Sequence, residues 1–228
     1  MTPRPPSAPT SPTPGAVPRR GRLPAQERAR REREVLDAAM RVIVRDGYVA
    51  ATMQAVADEA RASKETLYAW FGDREALVGA VIRGNADASV ARVAGALGRP
   101  AADAEEARRT LEGFARGLLT LLTGEASVAL NRAAMGSPAL ATELLASGRH
   151  RIGPLVAAYL SALYDAGLSP HPDGERAFSL LYGLIVQDTQ IRVLLGEQPP
   201  STHAVAARAR AAVAVFLETP SVETPSVR

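Results

Sequence analysis

The segment TMQAVADEARASKETLYAWF, Thr52 to Phe71, divides into two short amphipathic units joined by a tight corner. Met53, Val56, Ala57 and Ala60 fall at i, i+3, i+4 and i+7, so one face of a short helix is apolar. Thr52 stands just ahead of Met53, where a hydroxyl can accept from the free N–H groups of a first turn. Ser63 repeats that start signal three residues after Ala60, leaving room only for a sharp turn. Leu67 and Phe71, at i and i+4, anchor the second helix inward, while Lys64, Glu65, Thr66, Tyr68 and Trp70 remain for its other faces. A helix pair of this length and spacing is a helix-turn-helix, whose second helix presents its N-terminal residues to base edges in a DNA major groove.

The order of residues around the pair is more specific than the pair itself. Gly47-Tyr48 closes the preceding helix, Thr52 and the Ser63-Lys64-x-Thr66-Leu67-Tyr68 run follow, and Asp73-Arg74-Glu75 opens the next helix after Phe71. This set resembles the DNA-binding head of the TetR family of bacterial transcriptional regulators over about residues 25 to 83. The resemblance implies roles by position. Tyr68 gives its hydroxyl to a phosphate, and Trp70, where the family often has histidine or tyrosine, offers its indole N–H similarly. Thr52 and Ser63 hold phosphate oxygens with hydroxyls and helix-start N–H groups. Lys64 meets phosphate or guanine, and Arg74 replaces a backbone-touching lysine. Glu65 accepts from cytosine N4 or merely favours the helix N-terminus, and Thr66 meets a thymine methyl or packs in the first turn. The sequence departs from the family at the corner, where Ala60-Arg61-Ala62 replaces the usual glycine. Either the turn differs, or Arg61 accepts a left-handed conformation costing about 1–2 kcal/mol and brings a cation near DNA.

Charge and composition agree with that reading. Residues 1–83 carry 14 Lys+Arg against 10 Asp+Glu, four of those cations within residues 1–23, and the remainder carries 13 against 14, so the net +3 of the 228-residue chain comes from the N-terminal 83 residues. Lacking cysteine, the chain has no disulfide framework and no thiolate metal site, which suits a cytoplasmic location. No apolar run has the length of a membrane span. His150, His171 and His203 show no metal-ligand spacing, and no Gly-rich phosphate loop or nucleophile elbow is present. The expectation is a non-enzyme without cofactor or metal.

Residues 1–23 hold seven of the 17 prolines and no apolar periodicity, so a disordered tail is expected there, as at 219–228. Arg19, Arg20 and Arg22 end that tail as either a minor-groove arm or a solvated segment. The head spans 24–83, its first helix running from about Ala25 to Asp46 and ending at Gly47. The ligand-binding and dimerisation region spans 84–218. It begins in a long helix, Asp73 to about Leu97, then helices near 103–123 and 126–135. An element from Pro138 to Ala166 follows, kinked or split at Gly148 or Gly153-Pro154. The last two helices are expected near 172–195 and 202–218. Nothing alternates with period two, so the chain is all-α, a three-helix DNA-binding head plus a helical C-terminal domain.

The Gly136-Ser137-Pro138 break and the Leu181-x-Gly183-Leu184-Ile185 run resemble the C-terminal domain of TetR-type regulators, of the AefR-like branch. That resemblance implies a homodimer through the last two helices, with Val205, Ala209, Ala212, Val213 and Phe216 forming either a dimer face or internal core. It also implies a one-component switch: a repressor on a near-palindromic double-stranded operator, released by a small-molecule effector. Phe114, Tyr159, Tyr164, Phe178 and Tyr182 are candidates to line the effector cavity, with Gln187 or Asp188 orienting the ligand. The alternative class is a ligand-independent architectural DNA binder or protein-interaction module.

Overall fold

The structure, a computed structural model, describes residues 25–219. Eleven α-helices account for the ordered elements and no strand occurs among the described residues. The head contains α1 (Ala25–Ala50), α2 (Met53–Ala60) and α3 (Lys64–Phe71), and the long α4 (Arg74–Leu97) leads away from it. Then follow α5 (Ala104–Thr123), α6 (Glu125–Met135), α7 (Pro138–Ser147), α8 (Arg149–Asp165), α9 (Gly174–Val186), α10 (Thr189–Leu194) and α11 (Thr202–Glu218). The tail arginines Arg19, Arg20 and Arg22 lie outside the described residues.

Short polar side chains start most of these helices. Thr52, Ser63, Asp73, Asp103, Ser137, Asp173 and Ser201 each accept from a backbone N–H of the first turn, which satisfies a donor that has no partner inside the helix. The expected stop at Gly47 takes the form of an interruption. Its φ of 81° and ψ of 166° break the helical path, and a further turn runs to Ala50. A glycine carries this conformation without the Cβ clash that other residues meet at positive φ.

One element expected to kink or split does split, and one expected single helix is in fact a pair. The element after Pro138 splits at Gly148 (φ −94°, ψ −92°) and continues unbroken through Gly153 and Pro154 as α8. A Cβ at Gly153 would meet the Phe178 ring at 3.4 Å, an ordinary contact. The helix expected near 172–195 breaks at Gln187, whose φ of 45° and ψ of −129° turn the chain into the short α10. A non-glycine residue in that region costs on the order of 1–3 kcal/mol and is held by its surroundings. At the start of α9, Gly174 approaches α8 so closely that a Cβ would lie 2.2 Å from the Ala157 carbonyl oxygen.

The apolar clusters do not divide at residue 83. One contains α5, α8, α9 and α11 side chains, including Leu111, Leu119, Leu160, Leu163, Leu181 and Phe216. The other joins head residues such as Val42, Ile43, Val56, Leu67, Leu77 and Ile82 to Leu130, Ala133 and Ala134 of α6 and Leu140 of α7. Helices that begin more than 40 residues after the head thus close the core of the DNA-binding head. The final helix also resolves an open alternative. Val205, Ala209, Ala212, Val213 and Phe216 are all buried in the larger cluster, so this face is internal core and not a free dimer surface.

The shared core has a measurable consequence. Leu140→Ala, a truncation at a 1% exposed side chain, should lower stability by about 2–5 kcal/mol in urea unfolding. Amide exchange in α1 and α4 should accelerate with it, whereas Val213→Ala should leave exchange in α1 unchanged. Unaltered α1 protection in Leu140→Ala would mean that α7 does not support the head.

Candidate nucleic-acid interface and ligand cavity

The corner between α2 and α3 adopts the strained alternative. Arg61 lies in the left-handed region (φ 50°, ψ 44°). Its N–H donates to the Asp58 carbonyl at 3.2 Å, and the Ala62 N–H donates to the Ala57 carbonyl at 2.9 Å. These two bonds are the Schellman pattern, which satisfies the last carbonyls of α2 and recovers part of the strain. Ala62, half-buried against the head core, completes the motif with its apolar contact. The turn therefore keeps the geometry a glycine would have, with a cation added at its tip.

From that corner α3 is held by one fully buried side chain, Leu67, with Phe71 and Trp70 half-buried beside it. Lys64, Glu65, Tyr68 and Ala69 are exposed on the opposite side, and Tyr68 retains 46% of its surface. Ala69 is the member of this face that the sequence reading missed. Its position four residues after Glu65 was the available signal. The Ser63 hydroxyl accepts from the Thr66 N–H at 3.1 Å and also bonds the Thr66 hydroxyl at 2.9 Å. Thr52 accepts from the Ala55 N–H at 3.1 Å. Thr52 and Ser63 therefore flank α2 and α3 with their hydroxyls at exposed helix starts.

Two expected backbone contacts are placed differently. Trp70 packs edge-on to Phe71, with centroids 6.4 Å apart, and faces Arg28 of α1 at 6.0 Å. It shares with Thr66 a cleft between α1 and the corner, away from the Lys64–Tyr68 face. Arg74 stacks 4.4 Å over the Tyr48 ring and donates weakly to the Val49 carbonyl at 3.4 Å.

The charges of the head are sorted by position. In α1, Arg28, Arg30 and Arg31 pair with Glu27, Glu32 and Glu34. Arg41 and Arg45 converge on Glu59, and hydrogen bonds from Arg41 and then Arg45 hold that carboxyl below its ordinary range. Among the described residues of the head, the cations without an ion pair are Arg33, Arg61, Lys64 and Arg74. Three of those four stand at the corner, on α3 and at the start of α4. Free positive charge is thus concentrated around the second helix, as a phosphate backbone requires.

The second site is a cavity of about 280 Å³ between α4 and α5 to α10. Of the seven residues expected to line it, Phe178 and Tyr182 do so. Phe114 and Tyr159 are buried in the larger core cluster, Tyr164 is 43% exposed on the surface, and Gln187 and Asp188 are exposed at the break after α9. The polar lining is instead Asn85, Ser89, Ser127, Asn131, Arg149 and Gln190. A signal for part of it existed: Ile82, Asn85, Ala86 and Ser89 share one face of α4, so two polar residues interrupt an inward stripe. Arg149 gave no such signal, because a helix-terminal arginine reads as surface.

Arg149 lies 4.6 Å from the Tyr182 ring centroid and 5.3 Å from that of Phe178, and the two rings meet edge to face at 6.0 Å. Burial raises the Tyr182 phenol above its ordinary pKa, with Arg149 pulling the other way. The histidines form no site with one another. His171 is buried with Nε2 2.8 Å from the Phe216 carbonyl oxygen, while His150 and His203 are exposed. No group of acidic or histidine ligands suited to a metal occurs among the described residues.

Comparison with known proteins agrees with this architecture. Residues 35–81 match the family described as bacterial regulatory proteins, tetR family. Residues 109–219 match the AefR-like transcriptional repressor, C-terminal domain. A TetR transcriptional regulator from Agrobacterium tumefaciens is 38% identical, with 82% of this chain and 92% of that chain covered and a TM-score of 0.69. A TetR-family regulator from Mesorhizobium loti is 25% identical over 83% of this chain and 96% of its own, with a TM-score of 0.73. The flavonoid-responsive regulator FrrA is also 25% identical, over 83% and 96%, with a TM-score of 0.62. No match was found among functionally curated proteins.

The left-handed Arg61 makes stability and DNA affinity separable. Arg61→Gly removes about 1–2 kcal/mol of strain and returns about 0.4–1 kcal/mol of unfolded-state entropy. The melting temperature should therefore stay level or rise. Binding to duplex DNA should weaken, with the salt dependence shallower by about one counterion. An unchanged salt slope would remove Arg61 from the interface.

Proposed function

Because the chain belongs to the TetR family of bacterial transcriptional regulators, we propose that it acts as a ligand-released repressor, binding a near-palindromic operator as a homodimer. That it is a DNA-binding regulator follows from the family; the operator, the dimer and the release are the proposal. The observation that carries it is the concentration of unpaired cations at the corner, α3 and α4, around an exposed Lys64–Tyr68 face. Lys64, Tyr68, Thr52, Ser63 and Arg61 would contact phosphates and fix the register. Glu65, with Ala69 beside it, would meet base edges, and Thr66 would serve the first turn as much as the groove. Arg74 and Trp70 would touch the backbone only after giving up part of their packing on Tyr48 and Phe71. In a symmetric dimer the two α3 helices would enter successive major grooves about 34 Å apart.

The dimer surface would use the outward sides of the last helices, since the inward side of α11 is core. Ala204, Ala207, Ala211 and Val215 form a small-residue stripe on α11, with Leu180 and Gly183 exposed on α9. Arg208 lies beside that stripe. No described helix is long and apolar enough to cross a membrane.

Coupling between cavity and head would run through α6 and α7. Ser127, Asn131, Leu144 and Leu145 line the cavity, while Leu130, Ala133, Ala134 and Leu140 of the same helices pack in the head core. Polar contacts reinforce the link: the Ser137 hydroxyl donates to Glu75 of α4, and Arg83 and Glu143 pair at 2.6 Å. An effector acts only through its differential affinity for the two head spacings, and reversing a 1:99 equilibrium takes roughly 10⁴-fold preference. The similarity to a flavonoid-responsive regulator supports a small-molecule effector.

Sequences selected from random DNA should be inverted repeats. On the selected site, Tyr68→Phe should weaken binding by a similar factor across operator variants, and a loss confined to one base pair would reassign Tyr68 to base readout. Ala211→Glu should convert a sedimenting dimer to monomer and lower operator affinity with it. A variant that remains dimeric would move the interface elsewhere. Operator binding insensitive to every small molecule screened would replace the switch with a ligand-independent DNA binder.

A further inference from the structure

Taking the cavity as the effector site, we propose that its ligand is a small organic acid, an apolar or aromatic body carrying one carboxylate that pairs with Arg149. The walls set the body. Leu118, Leu121, Leu122 and Ile152 face the space together with the Phe178 and Tyr182 rings. At about 280 Å³ it sits near the lower end of ligand cavities, which run from about 300 to 1,000 Å³. The body is therefore one or two rings or a short chain.

The charge is set by what the lining contains and lacks. No Asp or Glu lines the cavity. The exposed Arg149 side chain forms no ion pair and no hydrogen bond among the described residues, yet its guanidinium lies over two aromatic rings. A guanidinium lying against ring faces keeps N–H donors free, and these can hold a carboxylate in bidentate geometry. Arg149 is also the first residue of α8, whose N-cap Gly148 supplies no side-chain cap, so the local helix charge has the same sign. An ammonium ligand would meet this cation with no carboxylate to offset it. A neutral ligand would leave the guanidinium unused.

Further polar groups fix orientation. The side chains of Asn85, Gln190 and Tyr182 line the cavity and make no hydrogen bond among the described residues. With its pKa raised by burial, the Tyr182 hydroxyl stays a protonated donor at neutral pH. The Gln187 break delivers Gln190, because it turns α10 away from the axis of α9. A hydroxyl or carbonyl on the body of the acid can meet these amides, while the carboxylate remains at the Arg149 rim.

The test uses the full chain and defined probes: 2-naphthylacetate and 6-phenylhexanoate, their methyl esters, and 2-(2-naphthyl)ethylamine, followed by titration calorimetry. At least one acid should bind with a dissociation constant below about 1 mM, its ester roughly tenfold more weakly, and the amine more weakly still. Arg149→Gln should bring the acid down to the affinity of its ester and change ester binding by less than about twofold. Ester binding thereby reports that the variant is folded and its cavity intact. Failure of both acids to bind, equal binding of acid and ester, or an acid preference that survives Arg149→Gln overturns the proposal. Operator release on the same samples separates it from the switch. Arg149-dependent acid binding without DNA release leaves the acid site standing and overturns release. Release by a neutral molecule, with no preference for acids, does the reverse.

Discussion

The packing of Leu130, Ala133, Ala134 and Leu140 against α1 and α4 is the contact on which the rest of this molecule depends. The head is too small to bury its own apolar faces. Its three helices and the start of α4 leave Val42, Ile43, Val78 and Ile82 with an open side, and α6 and α7 close it. Small domains bury a low fraction of their surface and gain much from added cover. The same contact makes the position of α3 a function of where α6 and α7 lie. Close-packed cores shift between discrete arrangements and do not deform continuously. In the proposed switch, a change in the α6–α7 position would be felt at the head as rigid displacement.

That constraint also bears on the cavity. It borders the head core, sharing Ile82 and Leu144 with it, so α6 and α7 turn one side to the head and the other to the cavity. The second core, of α5, α8, α9 and α11, provides the fixed wall. Gly174 allows α8 and α9 to approach closely, with Phe178 beside the cavity and Tyr182 under Arg149. The strained Gln187 turns α10 inward. The strained backbone of Arg61 has the parallel effect at the other end, where a left-handed turn is kept and a cation is gained.

Much of the head was legible in the sequence because its determinants are local. A hydroxyl or carboxylate before each helix, apolar residues at i, i+3 and i+4, and three residues between Ala60 and Lys64 specify the helix pair. The strain at Arg61 could be read because a family position and a backbone rule met at one residue. The side chains of Trp70 and Arg74 could not be assigned in the same way. Each has an apolar or aromatic surface that packs on its neighbours, and the choice between packing and solvent depends on Phe71 and Tyr48 being where the fold puts them. In the C-terminal region, the candidates Phe114 and Tyr159 are core because aromatic residues at helical spacing fill cores and cavities alike.

Sequence alone determined the all-α class, the position of the helix-turn-helix and its outward Lys64–Tyr68 face, since these follow from periodicity, caps and turn length within about 20 residues. Tertiary structure decided which faces meet. It assigned the Val205–Phe216 side of α11 to the core, recruited α6 and α7 to the head, and gathered Asn85, Arg149, Tyr182 and Gln190 from four helices around one cavity. Those outcomes depend on contacts between separate helices, many of them far apart in sequence, and no local pattern specifies which of several amphipathic faces will be buried against which partner.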